Sequence, residues 1–172
     1  MRRLPLALGL IVALCLAVAA SAATSTVSVP RKFRTVIPRV ERKSHVPVLL
    51  PSRIGVDVSP SRVFGTGTAT TRGYDLELGV GRHCGGANAC FIAAFFGERG
   101  ARPDLHRRVA LAHGITGFYR GLRCGASCAP AEIEWVEGRV LYDIQYKGVD
   151  VGREKRQLAA LANSAIKAGP RH

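Results

Sequence analysis

The chain has 172 residues, 47% of them hydrophobic and 22% charged, with a formal net charge of +13. This hydrophobic content excludes a wholly disordered chain and suits one globular domain with a short appendage. The 19 glycines favour a body rich in turns and strands, while the positive charge favours contact with anionic surfaces without deciding the fold.

The first segment predicts a signal peptide. Two arginines at positions 2 and 3 precede an apolar run from Leu4 to Ala20, and Ala20-Ser21-Ala22 supplies the small residues that signal peptidase requires. An uncleaved membrane anchor is the alternative, but the run has only about 17 residues, at the lower end of what spans a bilayer. We therefore expect a periplasmic or secreted bacterial protein, with residues 1–22 removed and no transmembrane span after cleavage.

Residues 23–46 predict a flexible basic linker. Serine, threonine and proline alternate there with basic residues, and no periodicity indicates a helix or strand. The basic residues are Arg31, Lys32, Arg34, Arg39, Arg42 and Lys43. Such a linker serves either as a solvated tether or as an attachment to an anionic envelope surface, such as phospholipid headgroups or cell-wall polymers. Nucleic acid is not an expected partner, because the segment lacks interleaved aromatic residues for base stacking.

The domain proper is expected over residues 47–169. An apolar patch between two prolines, residues 46–51, predicts an edge strand or an extended stretch. Residues 59–73 are rich in turn-forming residues. The alternating segment Tyr74 to Val80 predicts a half-buried strand, and the apolar run Cys90 to Phe96 predicts a second one after a glycine-rich hairpin loop.

The second half of the domain predicts four further strands and a helix. Val109 to Leu111 and Ile115 to Tyr119 form one pair of short strands. Ile133 to Val136 and Arg139 to Tyr146 form a hairpin across a short glycine turn. Arg153 to Ala168 has the spacing of an amphipathic helix. Strands followed by a last helix predict an α+β fold: a single antiparallel sheet of five or six strands with the C-terminal helix packed on one face.

The C-terminal third also carries a resemblance. Its features are Ile133-Glu134-Trp135, a Glu137-Gly138 turn, Tyr142 and a helix ending in Leu161-Ala162-Asn163-Ser164-Ala165-Ile166. Together they resemble a small extracytoplasmic domain of unknown function at the C-terminal end of some bacterial anti-sigma-factor-like and sporulation-related membrane proteins. Residues 46–52 are similar to the proline-rich entry of that domain. The resemblance implies a location outside the cytoplasm and no enzymatic activity, and this chain departs from it by carrying four cysteines.

Four cysteines remain after signal cleavage, and an even number in an exported chain predicts disulfides. We expect the local pairs Cys84–Cys90 and Cys124–Cys128, since each brackets small residues that let the Cα atoms approach to roughly 4.4–6.8 Å. A long-range pairing stays open if both loops lie at the same end of the sheet. A zinc site is the other alternative, although the first spacing is wider than in usual zinc motifs.

No catalytic, cofactor or metal set emerges from the polar residues. His83 lies beside Cys84, which suggests a Cys–His nucleophile, but a loop histidine next to a disulfide cysteine is the ordinary role of such a pair. His106 and His113 have no carboxylate at a ligand spacing. Gly65-Thr66-Gly67-Thr68 lacks the lysine and hydroxyl residue of a phosphate loop and predicts a turn. Asp143 and Asp150 suggest a pair of acids, but both are expected on a solvated hairpin arm and its exit.

The aromatic residues give the candidate ligand-binding surface. Trp135 and Tyr142 face each other across the predicted hairpin, where cross-strand packing is the ordinary role. If one face of the sheet stays open, Trp135 or Tyr119, flanked by Arg120 and Arg123, lines a ligand groove.

Two functions follow from these patterns. The first is a non-catalytic binding or accessory module at the bacterial envelope, which acts on an anionic envelope component or an envelope protein. The alternative is a periplasmic hydrolase whose site is assembled from the histidines and acids distant in sequence. Two histidines and a carboxylate in one cleft would favour the hydrolase, and scattered histidines the module. No cofactor is expected.

Overall fold

The computed structural model describes residues 25–82, 84 and 88–171, so the predictions for the signal peptide and for His83 lie outside the described residues. The strands and helices in this part of the chain are β1 (Ser25–Ser28), α1 (Val29–Phe33), α2 (Ile37–Ser44), β2 (Arg53–Val56), β3 (Val63–Ala69), β4 (Gly73–Val80), β5 (Phe91–Arg99), β6 (Arg107–Ala110), β7 (Thr116–Arg120), β8 (Arg123–Cys124), β9 (Cys128–Ala129), β10 (Ala131–Glu137), β11 (Val140–Tyr146) and α3 (Glu154–Ala168). Short 3₁₀ turns lie at Pro60–Arg62 and Ala112–Gly114.

The main sheet confirms the predicted fold class but has more strands than predicted. Seven antiparallel strands pair in the order β3-β4-β5-β11-β10-β7-β6, and α3 is the C-terminal helix. The fold is therefore α+β with a large antiparallel sheet, which has seven strands rather than five or six. Two small two-stranded ladders, β1–β2 and β8–β9, lie beside it.

The predicted C-terminal hairpin is the central pair of this sheet. β10 pairs with β11 so that Trp135 lies opposite Tyr142, and their rings stack with centroids 5.5 Å apart. Gly138 occupies the turn with a φ of +63°, a conformation that glycine adopts without the strain of a Cβ atom. Local alternation and a glycine turn were therefore enough to specify this pairing.

All three helices pack on one face of the sheet. The Phe33 ring of α1 meets the Phe95 ring of β5 edge-on at 5.9 Å, and Lys155 of α3 lies over the Tyr119 ring of β7. Phe95 and Tyr119 belong to one cross-strand row, since the pairs between them run through Ile144 and Ile133. The opposite side of the sheet is called the helix-free face below. No helix in the described residues is long and apolar enough to cross a membrane.

The predicted flexible linker is wrong over residues 25–46, where the chain forms β1, α1 and α2 within the domain. Six apolar side chains of this segment are buried in the core: Val27, Val29, Phe33, Val36, Ile37 and Val40. From position 29 onward they recur three or four residues apart, which is the spacing of a helix face. The charged residues between them lie on the exposed side and mask that pattern. The domain consequently begins well before the predicted boundary at residue 47.

The turn-rich stretch at 59–73 contains a strand that the sequence did not predict. β3 passes directly under α1 and α2, and its glycines permit this approach. A Cβ atom on Gly65 would lie 2.7 Å from Phe33 Cδ1, and one on Gly67 would lie 2.9 Å from Val36 Cγ1. The Gly-Thr repeat therefore alternates between a helix-covered side and a solvated side, instead of forming the expected turn.

Candidate functional site

The cysteines form the two predicted local disulfides. Cys84–Cys90 and Cys124–Cys128 have Cα–Cα distances of 5.6 Å and 4.0 Å. Asn88, between the first pair, donates from Nδ2 to the carbonyl oxygen of Cys128 at 3.1 Å. The two disulfide loops thus lie side by side, which was the condition for the long-range alternative, and the local pairing holds nevertheless.

A basic groove opens where β6 begins, β7 ends and α3 starts. It encloses about 820 Å³. Its cationic and aromatic lining consists of His106, Arg107, Tyr119, Arg120, Arg123 and Lys155, and its acidic lining consists of Asp104 and Glu154. Three separate stretches of the chain therefore contribute to one cavity, called the basic groove below.

Tyr119 organises two of the cations in the basic groove. The Arg107 guanidinium carbon lies 4.6 Å from the centre of the Tyr119 ring, and Lys155 Nζ lies 6.0 Å from it. Both distances suit attraction between a cation and the negative face of the ring. Tyr119 is itself buried, so its ring provides a rigid support for the Arg107 and Lys155 side chains.

Three cations of the groove lie outside ion pairs within the described residues, although Asp104 and Glu154 line the same cavity. Arg107, Arg123 and Lys155 are exposed, and none of them belongs to an ion pair within the described residues. Arg120 differs, because its guanidinium pairs with Glu132 on the helix-free face. The N-terminal end of α3, where Lys155 lies, adds the positive end of the helix dipole. An anion in the groove would meet several cations without having to displace acidic partners from Arg107, Arg123 or Lys155.

Three of the four predicted ligand-face residues lie together in this groove: Tyr119, Arg120 and Arg123. Trp135 does not, and its proposed role is corrected. Its exposed fraction is 0%, because it lies in the helix-covered layer of the hairpin beneath α3. Arg107 and Lys155 were missed, since only the pairing of β6 with β7 and the packing of α3 bring them to Tyr119.

The described histidines do not converge. His106 lines the basic groove, His113 lies in the turn between β6 and β7, and His45 caps the end of α2. None makes an ion pair with a carboxylate, and the described residues contain no group of three or more His, Cys, Asp or Glu side chains that could hold a metal ion. His106 and His113 therefore do not line one cavity, and His83, the third histidine of the hydrolase hypothesis, lies outside the described residues.

The helix-free face carries a concentration of acidic residues that sequence reasoning missed. The register places on it the carboxylates Asp75, Glu77, Glu98, Glu132, Glu134 and Asp143. The expectation of a solvated Asp143 is wrong, since its exposed fraction is 9%. Asp150, by contrast, is exposed as expected. The signal was the alternation of acids along neighbouring strands, which becomes informative only once the register is known.

The buried carboxylates of this face are held by specific donors. Glu134 Oε2 accepts from the backbone N–H groups of Asp104 at 3.0 Å and Leu105 at 3.1 Å. Gln145 Nε2 donates to Glu132 Oε1 at 3.1 Å and to Asp143 Oδ2 at 3.3 Å. Asp143 Oδ1 is buried and has no hydrogen-bond partner.

Burial and crowding favour protonation on the helix-free face. Burial, followed by the charges of Glu132 and Glu134, raises the pKa of Asp143 well above its usual value. Burial also raises the pKa of Glu134, against the effect of its two backbone donors. The pKa of Asp75 is raised by burial and by the neighbouring charge of Glu77.

A second, smaller cavity lies on the helix-free face, and it is called the acidic pocket below. It encloses about 290 Å³. Its walls are Asp75, Glu77, Phe91, Phe96 and Gln145, with Ala94 in the sheet and Asn88, Cys128 and Pro130 from the disulfide loops. It is therefore a recess in the sheet surface with two carboxylates, two aromatic rings and a rim formed by both disulfide loops.

Comparison of the chain with protein-family models, curated proteins and solved structures finds no match. The functional conclusion consequently depends on the chemistry of these two cavities. The resemblance to the extracytoplasmic domain stays a prediction.

Proposed function

We propose that this chain is an exported, non-catalytic binding module that holds a phosphate-bearing component of the bacterial envelope in the basic groove. The observation that carries the proposal is the convergence of Arg107, Arg123 and Lys155 on one cavity, with none of them in an ion pair within the described residues. An arginine fork binds phosphate through two parallel hydrogen bonds, and lysine adds a point charge.

The size of the groove supports a discrete ligand. A volume of about 820 Å³ lies within the range of roughly 300–1,000 Å³ typical of small-molecule sites. A single phosphorylated headgroup or polymer unit can enter a cavity of this size, whereas a flat membrane surface cannot. The Tyr119 ring holds the Arg107 guanidinium at the wall of this groove, where a bound phosphate would meet it.

The proposed location is the periplasm or the exterior of a bacterium. The two disulfides are compatible with an oxidising compartment, where such bonds persist. The sequence adds the predicted signal peptide at residues 1–22. Intact mass of the protein isolated from its native host tests this part, and a membrane-bound form that retains residues 1–22 would contradict it.

The binding experiment uses soluble glycerol 1-phosphate together with phosphatidylglycerol and phosphatidylcholine vesicles. We expect saturable binding of glycerol phosphate, competition with the phosphatidylglycerol vesicles, and no binding to phosphatidylcholine. The double variant Arg123→Gln/Lys155→Gln should weaken binding about tenfold or more, since two charge-assisted contacts are lost.

The matched control is Arg42→Gln/Lys43→Gln, which removes the same charge from exposed positions of α2 outside the groove. This control should bind nearly as well as the parent chain. If both double variants lose affinity equally, the attraction belongs to the net charge of the protein and the groove is not the site.

A further inference from the structure

The acidic pocket is chemically opposite to the rest of the protein. The chain carries a formal net charge of +13, yet Asp75 and Glu77 line this recess, and neither takes part in an ion pair within the described residues. The Phe91 and Phe96 rings line the same recess. Carboxylates beside partly exposed aromatic rings form a typical environment for an organic cation, because the rings attract a cation and the carboxylates accept its hydrogen bonds.

Asp143, next to the pocket, is an independent indication of a missing hydrogen-bond donor on this side of the sheet. It is directly opposite Phe96 on the neighbouring strand, and Phe96 is in turn directly opposite Asp75. Asp143 is nine-tenths buried, and its Oδ1 atom has no hydrogen-bond partner. Gln145 connects it to the pocket, since the Gln145 side chain lines the recess and donates to Asp143 Oδ2. Buried carboxylate oxygens are normally satisfied, so an unpartnered one in this row points to a missing donor.

We propose that the acidic pocket binds the guanidinium group of an arginine side chain presented by a partner polypeptide. The planar guanidinium stacks on a phenylalanine ring while its fork donates to Asp75 and Glu77, and a lysine ammonium lacks both the plane and the fork. The volume of about 290 Å³ is at the lower limit for a small-molecule site and suits one side chain.

The surroundings of the pocket favour a polypeptide over a free cation. Within the described residues no helix covers this face, so the recess is open to a side chain that a partner polypeptide presents. Asp75 and Glu77 supply the charge that complements a cationic side chain. This inference concerns a different face from the basic groove and does not depend on phosphate binding there.

The test uses three capped tripeptides that differ only at the central residue: Gly-Arg-Gly, Gly-Lys-Gly and Gly-citrulline-Gly. Citrulline keeps the shape of arginine and removes its charge. Binding to the full chain is followed by backbone amide chemical shifts and by calorimetry. We expect the arginine peptide to bind about tenfold more tightly than the citrulline peptide, and the shifts to cluster around Asp75, Glu77, Phe96 and Gln145.

The variant Asp75→Asn/Glu77→Gln should weaken binding of the arginine peptide about tenfold. Its amide spectrum should keep the dispersion of the parent chain, which shows that the variant is folded. Asp57→Asn/Glu137→Gln is the matched control, because it removes the same charge from exposed positions that do not line the pocket. If the double variant is unstable, the single variant Glu77→Gln replaces it.

Equal binding of the citrulline and arginine peptides would overturn the proposal, as would equal losses in the variant and its control. Tighter binding of free arginine than of the capped peptide would overturn the polypeptide assignment, because the site would then recognise a small molecule.

Discussion

The basic groove and the helix-free face use charge in opposite ways. In the groove, Arg107, Arg123 and Lys155 are exposed and belong to no ion pair within the described residues, and two of them lie over the Tyr119 ring. On the helix-free face, Glu134 and Asp143 are buried, and crowding and desolvation raise their pKa values. Exposed charges contribute little to folding and remain available to a ligand, whereas buried carboxylates couple folding to pH.

The largest expected effect is on the acidic side of this comparison. Glu134→Ala removes the acceptor of two backbone N–H groups, those of Asp104 and Leu105. Leu105 is buried, so its N–H group would lose its partner without gaining water. We expect the free energy of unfolding to fall by about 2–3 kcal/mol. Urea unfolding at pH 6 measures this.

Glu134→Gln is the companion variant, because its side-chain oxygen can still accept from the two N–H groups. It should retain at least half of the stability that Glu134→Ala loses. A loss below about 0.5 kcal/mol for the alanine variant would show that the loop at 104–105 does not depend on this carboxylate.

The Cys124–Cys128 disulfide lies between the basic groove and the acidic pocket, and its removal should affect both. Its hairpin carries Arg123 into the basic groove and Cys128 into the rim of the acidic pocket. Cys124→Ser/Cys128→Ser should lower the free energy of unfolding by about 2 kcal/mol, the value for so short a loop in the chain-entropy model. We expect both the glycerol phosphate and the arginine peptide to bind more weakly.

Cys84→Ser/Cys90→Ser is the control for that prediction. It should lose a similar free energy of unfolding but retain glycerol phosphate binding, since none of the described residues of its loop lines the groove. Non-reducing peptide mapping checks the pairing itself, and halves of the chain that stay linked after cleavage at Arg99 and Arg102 would contradict it.

The parts of the fold that sequence predicted are those specified by local signals. The β10–β11 hairpin follows from alternation and a glycine turn, and α3 follows from helical spacing. The disulfides follow from short loops of small residues. Tyr119, Arg120 and Arg123 were nominated together because they are neighbours in sequence, and the groove indeed contains all three.

The parts that sequence did not predict depend on contacts between distant segments. The apolar face of α1 and α2 was hidden by exposed basic residues, and β3 was hidden by glycines whose role is the close approach of those helices. Trp135 lies on the same side of the sheet as Tyr119, but the burial of its ring depends on what packs over that side, which nothing in the sequence indicates. The acidic face required the register of four strands, β4, β5, β11 and β10.

The pH dependence of folding provides a further test of the contrast between the basic groove and the helix-free face. Since the pKa of Asp143 is raised in the folded state, the stability that this group contributes is fully present below its unfolded pKa. That stability is lost as pH rises through the folded pKa. Asp143→Asn imitates the protonated form at every pH, so the variant should lose less stability than the parent chain between pH 5 and pH 8.

At pH 8 we expect Asp143→Asn to be more stable than the parent chain by about 1 kcal/mol, because a buried charge next to Glu132 and Glu134 is removed. Urea unfolding at several pH values measures it. The control Asp150→Asn, at an exposed position, should leave the pH slope unchanged. A parallel slope for Asp143→Asn would mean that Asp143 is ionised in both states.

The smallest expected effect on stability belongs to the basic groove. Arg123 is exposed, and no ion pair within the described residues includes it, so Arg123→Gln should change the free energy of unfolding by less than about 0.5 kcal/mol at any pH between 5 and 8. The same substitution should weaken glycerol phosphate binding and flatten its dependence on salt, because one cation fewer faces the anion. Thermal unfolding and a salt titration of binding measure the two effects in one sample. A loss of stability above about 1 kcal/mol would show that Arg123 contributes to folding. The contrast between the basic groove and the helix-free face would then not hold.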